Sequence, residues 1–307
     1  MTSPLLSLPG AVGGAGLDAP VAAHYGSLYG EQKVLEGGEG FVDLSHHDVV
    51  RVSGPDRLQW LHDLTTQHFL HLPPKTWTVA LVLSPQGHVE HAFAGVDDGE
   101  SFTAATEPGA AAALVEFLDR MRFMSRVEVS DETAELALTF RPPAGHELVP
   151  REQLTAYAEA VGPACGLWAY EALRIARGEP RLGLDTDQRT IPNEVGWIGT
   201  AVHMDKGCYR GQETVARVHN LGRPPRRLTL LHLDGSENRL PVVGSELRSG
   251  EKVVGFVGTS ARHHELGPIA LALVKRNVPL DAQLEVDGLP AAQEVVVDPE
   301  VGLHFRR

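Results

Sequence analysis

The residues best suited to chemistry lie together in Lys206-Gly207-Cys208-Tyr209-Arg210-Gly211-Gln212-Glu213, followed by Thr214-Val215-Ala216-Arg217. Glycine on both sides of the cysteine lets the backbone turn tightly or come close to a ligand. Gln212 to Val218 has helical character, so Cys208 falls just ahead of a helix N-terminus, with Lys206 and Arg210 as near neighbours. A helix N-terminus and adjacent cations both favour thiolate over thiol, which makes Cys208 a candidate reactive cysteine. A small buried hydrophobe is the competing reading. The segment is also basic. Lys206, Arg210, Arg217, Arg223, Arg226 and Arg227 stand there against one acid, Glu213, in a chain of net charge −13. Such a positive island draws anionic ligands, unless it is simply a solvated loop.

Other chemistries lack their residues. The 15 histidines cluster as His46-His47, as His62, His68 and His71, and as His263-His264. None of these groups has a recognised ligand frame such as H-E-x-x-H, so no metal site is expected. Two well-separated cysteines, Cys165 and Cys208, cannot frame an iron–sulfur cluster. Glycine patterns for nucleotide binding and a G-x-S-x-G nucleophile elbow are missing from the sequence.

The elements that must position Cys208 follow from length and pattern. At 307 residues, 42 % hydrophobic and 22 % charged, the chain suits two or three globular domains with ample core. An acidic balance argues against a nucleic-acid coat. The N-terminus lacks the basic and apolar regions of a signal peptide, and no apolar run approaches membrane-spanning length, so a cytoplasmic protein is expected. Residues 1–35, rich in Gly, Ala and Pro, read as a flexible extension, with a short helix near His24–Tyr29. Strands are expected at Phe41–Leu44 and Val49–Val52, then a helix opened by Ser53-Gly54-Pro55-Asp56. Val79–Leu83 and Val89–Phe93 flank Ser84-Pro85-Gln86-Gly87 as a hairpin. Pro108 opens a second helix carrying Leu114, Val115, Leu118 and Met121, and Val127–Val129 and Leu136–Phe140 read as strands. Arg141-Pro142-Pro143-Ala144-Gly145 breaks the pattern and marks a subdomain joint near 141–146. Ala169, Ala172, Leu173 and Ala176 form a helical face closed by Gly178. After Pro224-Pro225, short strands at Leu228–Leu233, Val253–Val257, Ile269–Val274, Leu284–Val286 and Glu294–Val297 predict a small antiparallel barrel over 225–307. The fold class is α+β, a body at 36–224 followed by an all-β domain.

The K-G-C-Y-x-G-Q-E run at 206–213 resembles the signature of the YgfZ family, relatives of the glycine-cleavage T-protein, an aminomethyltransferase. The resemblance extends to Gly40-Phe41-Val42-Asp43-Leu44-Ser45-His46, to Leu173 through Gly183, to Ile191-Pro192-Asn193-Glu194, and to Gly255-Phe256-Val257-Gly258-Thr259-Ser260. It spans roughly residues 36–300.

What it implies is a T-protein-like fold of three subdomains around a central cavity holding tetrahydrofolate or a one-carbon derivative. It also implies a role in assembly or repair of iron–sulfur proteins, tRNA-modifying enzymes among them. Cys208 carries that role with Lys206, set by Gly207, Tyr209, Gly211, Gln212 and Glu213. The cofactor contacts implied are His47, Tyr170, Arg174, Glu194, Lys206, Tyr209 and Arg223. Partners would be folate and iron–sulfur enzymes or their assembly proteins, met by a monomer that touches neither membrane nor nucleic acid. Two departures bear on function. His47 replaces an aromatic wall of the folate cavity. Glu90-His91 stands where the T-protein has paired aspartates, and a carboxylate displaced by one methylene counts against aminomethyl transfer. Two alternatives remain: a folate-dependent one-carbon transferase, and a protein or tRNA adaptor that keeps the folate fold.

Overall fold

The computed structural model of the chain describes residues 1–300, the side chain of Leu221 excepted. The end of the expected barrel domain, 301–307, lies outside them. The chain forms two compact units, each built from separate segments. The first takes Met1–His62, His68–Val79 and Ala92–Glu171. The second takes Asp63–Gln67, Ala80–His91 and the chain from Ala172 onward. The boundary read at 224 therefore marks the start of the barrel and not the edge of a compact unit.

In the first unit a four-stranded sheet runs in the order Gly145–Pro150, Leu136–Arg141, Phe41–Asp43 and Ala164–Cys165, its last pair parallel. A five-stranded sheet, of which Ser101–Thr106, Asp48–Ser53 and Glu128–Asp131 lie wholly in this unit, has the order Thr78–Leu83, Val89–Asp97, Ser101–Thr106, Asp48–Ser53 and Glu128–Asp131. The helix Ala111–Arg120 buries Leu114, Phe117 and Leu118, which share one face by their spacing of three and four.

Four expectations are corrected here. The N-terminal residues are not loosely held. Leu5 packs with Phe41, Ala137 and Leu154, the Ser3 hydroxyl donates to Asp43, and Val12–Gly13 pairs with Ala22–His24. Small side chains give a weak periodic signal yet bury completely, as Val21 and Ala23 do. The helix expected at His24–Tyr29 runs from Leu28 to Glu36. Buried Glu31 sets its start, accepting the N–H groups of Tyr25 at 2.9 Å, Ser27 at 3.0 Å and Gly166 at 2.8 Å. The joint read at 141–146 is a hairpin turn, with Arg141 opposite Gly145 and the pairing continuing to Leu136 opposite Pro150. Proline and glycine punctuate a tight turn as readily as a linker. Ser53, read as a helix cap, ends a strand, and the helix begins at Arg57.

The second unit holds the closed barrel, in the order Arg226–Leu233, Gly267–Lys275, Lys252–His263, Glu246–Ser249, Leu284–Val286 and Leu289–Val295. Its first strand shows why it closes. Leu231 and Leu233 point inward to Leu247, Val257 and Val286, while Leu228 and Leu230 pack outward on Ala172, Ile175 and Val195. A period of two thus gives one strand two apolar faces. Glu246–Ser249 was missed from sequence because Arg248 and Ser249 interrupt its pattern.

Candidate functional site

The signature is mounted on the hairpin turn at 84–87. The helix Gln212–Leu221 is preceded by Gly211 in a left-handed conformation, φ 81°, ψ 0°. A β-carbon on Gly211 would lie 2.5 Å from the Ser84 carbonyl oxygen, and one on Gly87 would lie 2.9 Å from Thr214 Cβ. The two backbones approach so closely that only glycine fits at either contact. Fully buried Val215 anchors the inner face of the helix.

Ahead of the helix, the loop is tied to the segment Asp63–Gln67. The Lys206 ammonium donates to the Thr65 carbonyl at 2.5 Å and the Gln67 carbonyl at 3.3 Å, and lies 5.2 Å from the centre of the Tyr209 ring. The Thr66 hydroxyl donates to Ala201 O at 2.7 Å, and His203 N–H donates to Thr66 O at 3.0 Å. Lys206 is only 5 % exposed, and burial pulls its pKa down to about 8, against the pull of Asp63 in the other direction. Burial pushes the Tyr209 phenol up to about 12. Gln212 Nε2 reaches the Lys206 carbonyl at 3.5 Å. Between these fixed neighbours Gly207 and Cys208 are exposed, and so is Glu213. Cys208 is a free thiol at the surface, so the buried-hydrophobe reading of it does not hold.

The positive island is largely neutralised. Arg210 pairs with Glu90 at 3.0 Å, Arg223 with Glu300 at 2.6 Å, and Arg226 with both Asp187 and Glu194. Arg226 Nε and Nη2 donate to the two Glu194 oxygens at 2.8 and 2.9 Å, and Nη1 donates to Asp187 at 2.5 Å. That guanidinium holds the Asp187 carboxyl at about 2. Sequence reasoning counted the arginines but could not see their acids, which come from 32 to 120 residues away.

The expected cofactor residues separate into groups. Tyr170 lies in the first unit, half-buried, its hydroxyl 3.0 Å from His146 Nε2 and its ring 5.2 Å edge-on from Phe140. His47 Nδ1 lies 3.0 Å from the Thr106 carbonyl, so that nitrogen carries the proton. Arg174 is corrected. It is 3 % exposed, and its guanidinium is spent on Asp185 at 3.2 Å, Glu179 O at 2.8 Å and Thr259 Oγ1 at 2.7 Å, an internal tie with no face left for a ligand. Glu194 is fully buried and also accepts the Ile191 N–H at 3.1 Å. Beside it sits a residue to which the sequence reading assigned no role. Asn193 is 3 % exposed, and its Oδ1 has no hydrogen-bond partner among the described residues. Its place in the Ile191–Glu194 segment was the only available signal.

Glu90, standing where the T-protein has an aspartate, is the ion-pair partner of the signature arginine. His91 beside it has its pKa lowered by burial, with the Glu90 charge opposing.

The architecture is that of the T-protein. A glycine cleavage system aminomethyltransferase T from Bartonella henselae superposes with a TM-score of 0.78, covering 98 % of each chain at 17 % identity. Within that class the sequence resembles two kinds of protein. A tRNA-modifying protein YgfZ from Buchnera aphidicola is 40 % identical over 88 residues, 27 % of each chain. An aminomethyltransferase from Nostoc is 34 % identical over 134 residues, 41 % of this chain and 35 % of that one. A chloroplast protein of Arabidopsis thaliana named for a transferase is 23 % identical over 288 residues, 76 % of this chain and 66 % of its own. These matches cover 66 % or less of the curated relatives' lengths. No family model matches the chain. Among the described residues no helix is long and apolar enough to cross a membrane.

Proposed function

We propose that the protein binds a reduced folate and serves the assembly or repair of iron–sulfur proteins, tRNA-modifying enzymes among them, through Cys208. The observation that carries this reading is an exposed thiol on a turn whose two sides are fixed, by buried Lys206 on one and by the Gly211 contact with Ser84 on the other. A fixed backbone presenting a free side chain is the arrangement of a functional residue, since packing alone gives no reason for it. Its partners would be iron–sulfur enzymes or their assembly proteins, met in the cytoplasm by a monomer.

Asn193 supports the folate part. A buried amide oxygen left without a donor costs about 1–3 kcal/mol, and a ligand amine would relieve that cost. Bound tetrahydrofolate would supply a carrier for one-carbon units. The Glu90–Arg210 pair counts against the transferase reading, because Arg210 engages both Glu90 oxygens.

Calorimetric titration of the full chain with tetrahydrofolate and its formyl and methylene forms is expected to give micromolar or weaker binding. Asn193→Leu should weaken that binding without loss of stability. No heat with any of them up to about 1 mM, some 4 kcal/mol of binding, overturns the folate assignment. Cys208→Ala should melt and titrate as wild type yet leave iron–sulfur enzyme activities as low as in cells lacking the gene. Full activity with that variant overturns the role of the thiol.

A further inference from the structure

Arg227 is the largest side chain with no exposed surface among the described residues, and it has no carboxylate partner among them. Its Nη2 donates to the Val278 carbonyl at 3.2 Å and to Gln293 Oε1 at 2.8 Å, while Nε and Nη1 have no hydrogen-bond partner. Burial lowers its pKa, and no acid acts in the other direction. Arg174, buried almost as fully in the same unit, donates to the Asp185 carboxylate at 3.2 Å. A lone guanidinium inside a barrel is destabilising, and removing two of its N–H groups from water adds to the cost. An anion from outside the chain would relieve that cost.

The register locates where that charge would sit. Arg226 stands opposite Lys275, and Gly255 opposite Val274, so the start of Arg226–Leu233, the start of Lys252–His263 and the end of Gly267–Lys275 share one end of the barrel. A recess of about 670 Å³ opens at that end. Lys252, Lys275, Asn277 and Ser249 line it with one acid, Glu251, over an apolar floor that includes Val254 and Val278. Its inner wall is the turn Val278–Pro279, and Arg227 braces that turn from behind. It holds Val278 O directly and Pro279 O through Gln293, whose Nε2 donates to it at 3.0 Å. Two lysines at the rim and an uncompensated arginine bonded to the Val278–Pro279 turn outweigh the one acid of the recess, in a protein of net charge −13. Low polarity around Arg227 lets its field act through that wall instead of being screened.

We propose that this end of the barrel is a binding site for a small molecule bearing a phosphate or carboxylate group and an apolar part, independent of the folate and cysteine assignments. The recess is of the size that small ligands fill. Lys252 and Lys275 take the oxyanion at the rim, and Arg227 positions the wall and adds charge from within.

Backbone amide shifts of the full chain, followed by NMR, test this with two probes at matched ionic strength against chloride. Inorganic phosphate is one arm and benzoate the other. Saturable shifts confined to residues 249–254 and 275–279 are expected for at least one probe, and which probe saturates tells phosphate from carboxylate recognition. The surface double variant Lys252→Met/Lys275→Met should weaken that binding at least tenfold, and it keeps its fold because both side chains are exposed and the tie lost is the single bond from Lys275 Nζ to the Val253 carbonyl, 2.9 Å. Arg227→Met should melt higher than wild type without anion and lose the anion-induced rise in melting temperature. No saturation with either probe, shifts equalled by chloride, or undiminished binding by the double variant overturns the proposal.

Discussion

At the scale of single residues, the contrast between the two cysteines can be measured directly. Cys165 is 1 % exposed and burial pushes its thiol up to about 12, whereas Cys208 stands at the surface. One thiol per chain is therefore expected to react with a disulfide reagent at pH 8 in the native protein, and both after unfolding. Two fast thiols in the native state would contradict the burial of Cys165. Lys206 carries the second prediction. Its folded pKa of about 8 lies below the free value of about 10.4, so between these limits the unfolded chain holds a proton that the native one has shed. Stability from this group is complete above the free value and is lost as pH falls through about 8. The slope reaches about 1.4 kcal/mol per pH unit. Tyr209, raised to about 12, works the other way above its free value of about 10, and Cys165, also raised to about 12, does so above its free value of about 8.5. In urea melts from about pH 8 to 9.5, wild type should therefore gain stability with pH relative to Lys206→Met, which keeps both opposing groups.

At the scale of elements, the signature helix depends on the hairpin turn beneath it. Gly211→Ala forces a β-carbon into a left-handed residue and onto the Ser84 carbonyl. The expected cost is about 1–3 kcal/mol from backbone strain alone, with further loss if the turn must shift. Gly207→Ala is the control, because a β-carbon there meets no atom within 4 Å and its backbone is not left-handed. Denaturant melts should separate the two variants by at least 1 kcal/mol. The Arg210–Glu90 pair joins the same two elements but is exposed at both ends, 39 and 37 %. Exposed pairs contribute little to stability. The helix is held by close backbone contact and by Val215, and its ion pair is a minor term.

At the scale of the molecule, segments far apart in sequence are joined inside the second unit by buried polar groups. Asp185 accepts from Thr259 N at 2.6 Å, from Arg181 N at 2.8 Å and from Arg174 at 3.2 Å. It thereby ties the end of the helix Leu167–Ala176 and the following loop to the barrel strand Lys252–His263. Gly258 is required for this, since a β-carbon there would lie 2.2 Å from Asp185 Oδ1. Arg174→Met leaves the Asp185 charge buried with its hydrogen-bond donors but no cation. A loss of about 3–5 kcal/mol is expected in urea unfolding. A change below 1 kcal/mol would mean that the hydrogen bonds alone hold the carboxylate.

Much of this was legible in the sequence, where it was local. The barrel strands follow from alternating apolar residues bounded by Asp-Gly and Ser-Gly turns, and the hairpin at 84–87 from its turn residues. The helix after Gly211 follows from a glycine ahead of a helical pattern, and the turn that carries Cys208 from its flanking glycines. These features depend on neighbours a few residues away, which a pattern records. Partnership does not. Four of the six cations counted around Cys208 are bound to Glu90, Glu300, Asp187, Glu194 and the carbonyls of Thr65 and Gln67, all from other segments. The extension that composition marked as loose is packed because small side chains fill space between strands. Arg174 and Arg227 looked alike on paper. One has a buried carboxylate and the other has none, because ion pairing in a low dielectric is decided by distances that only the folded chain sets.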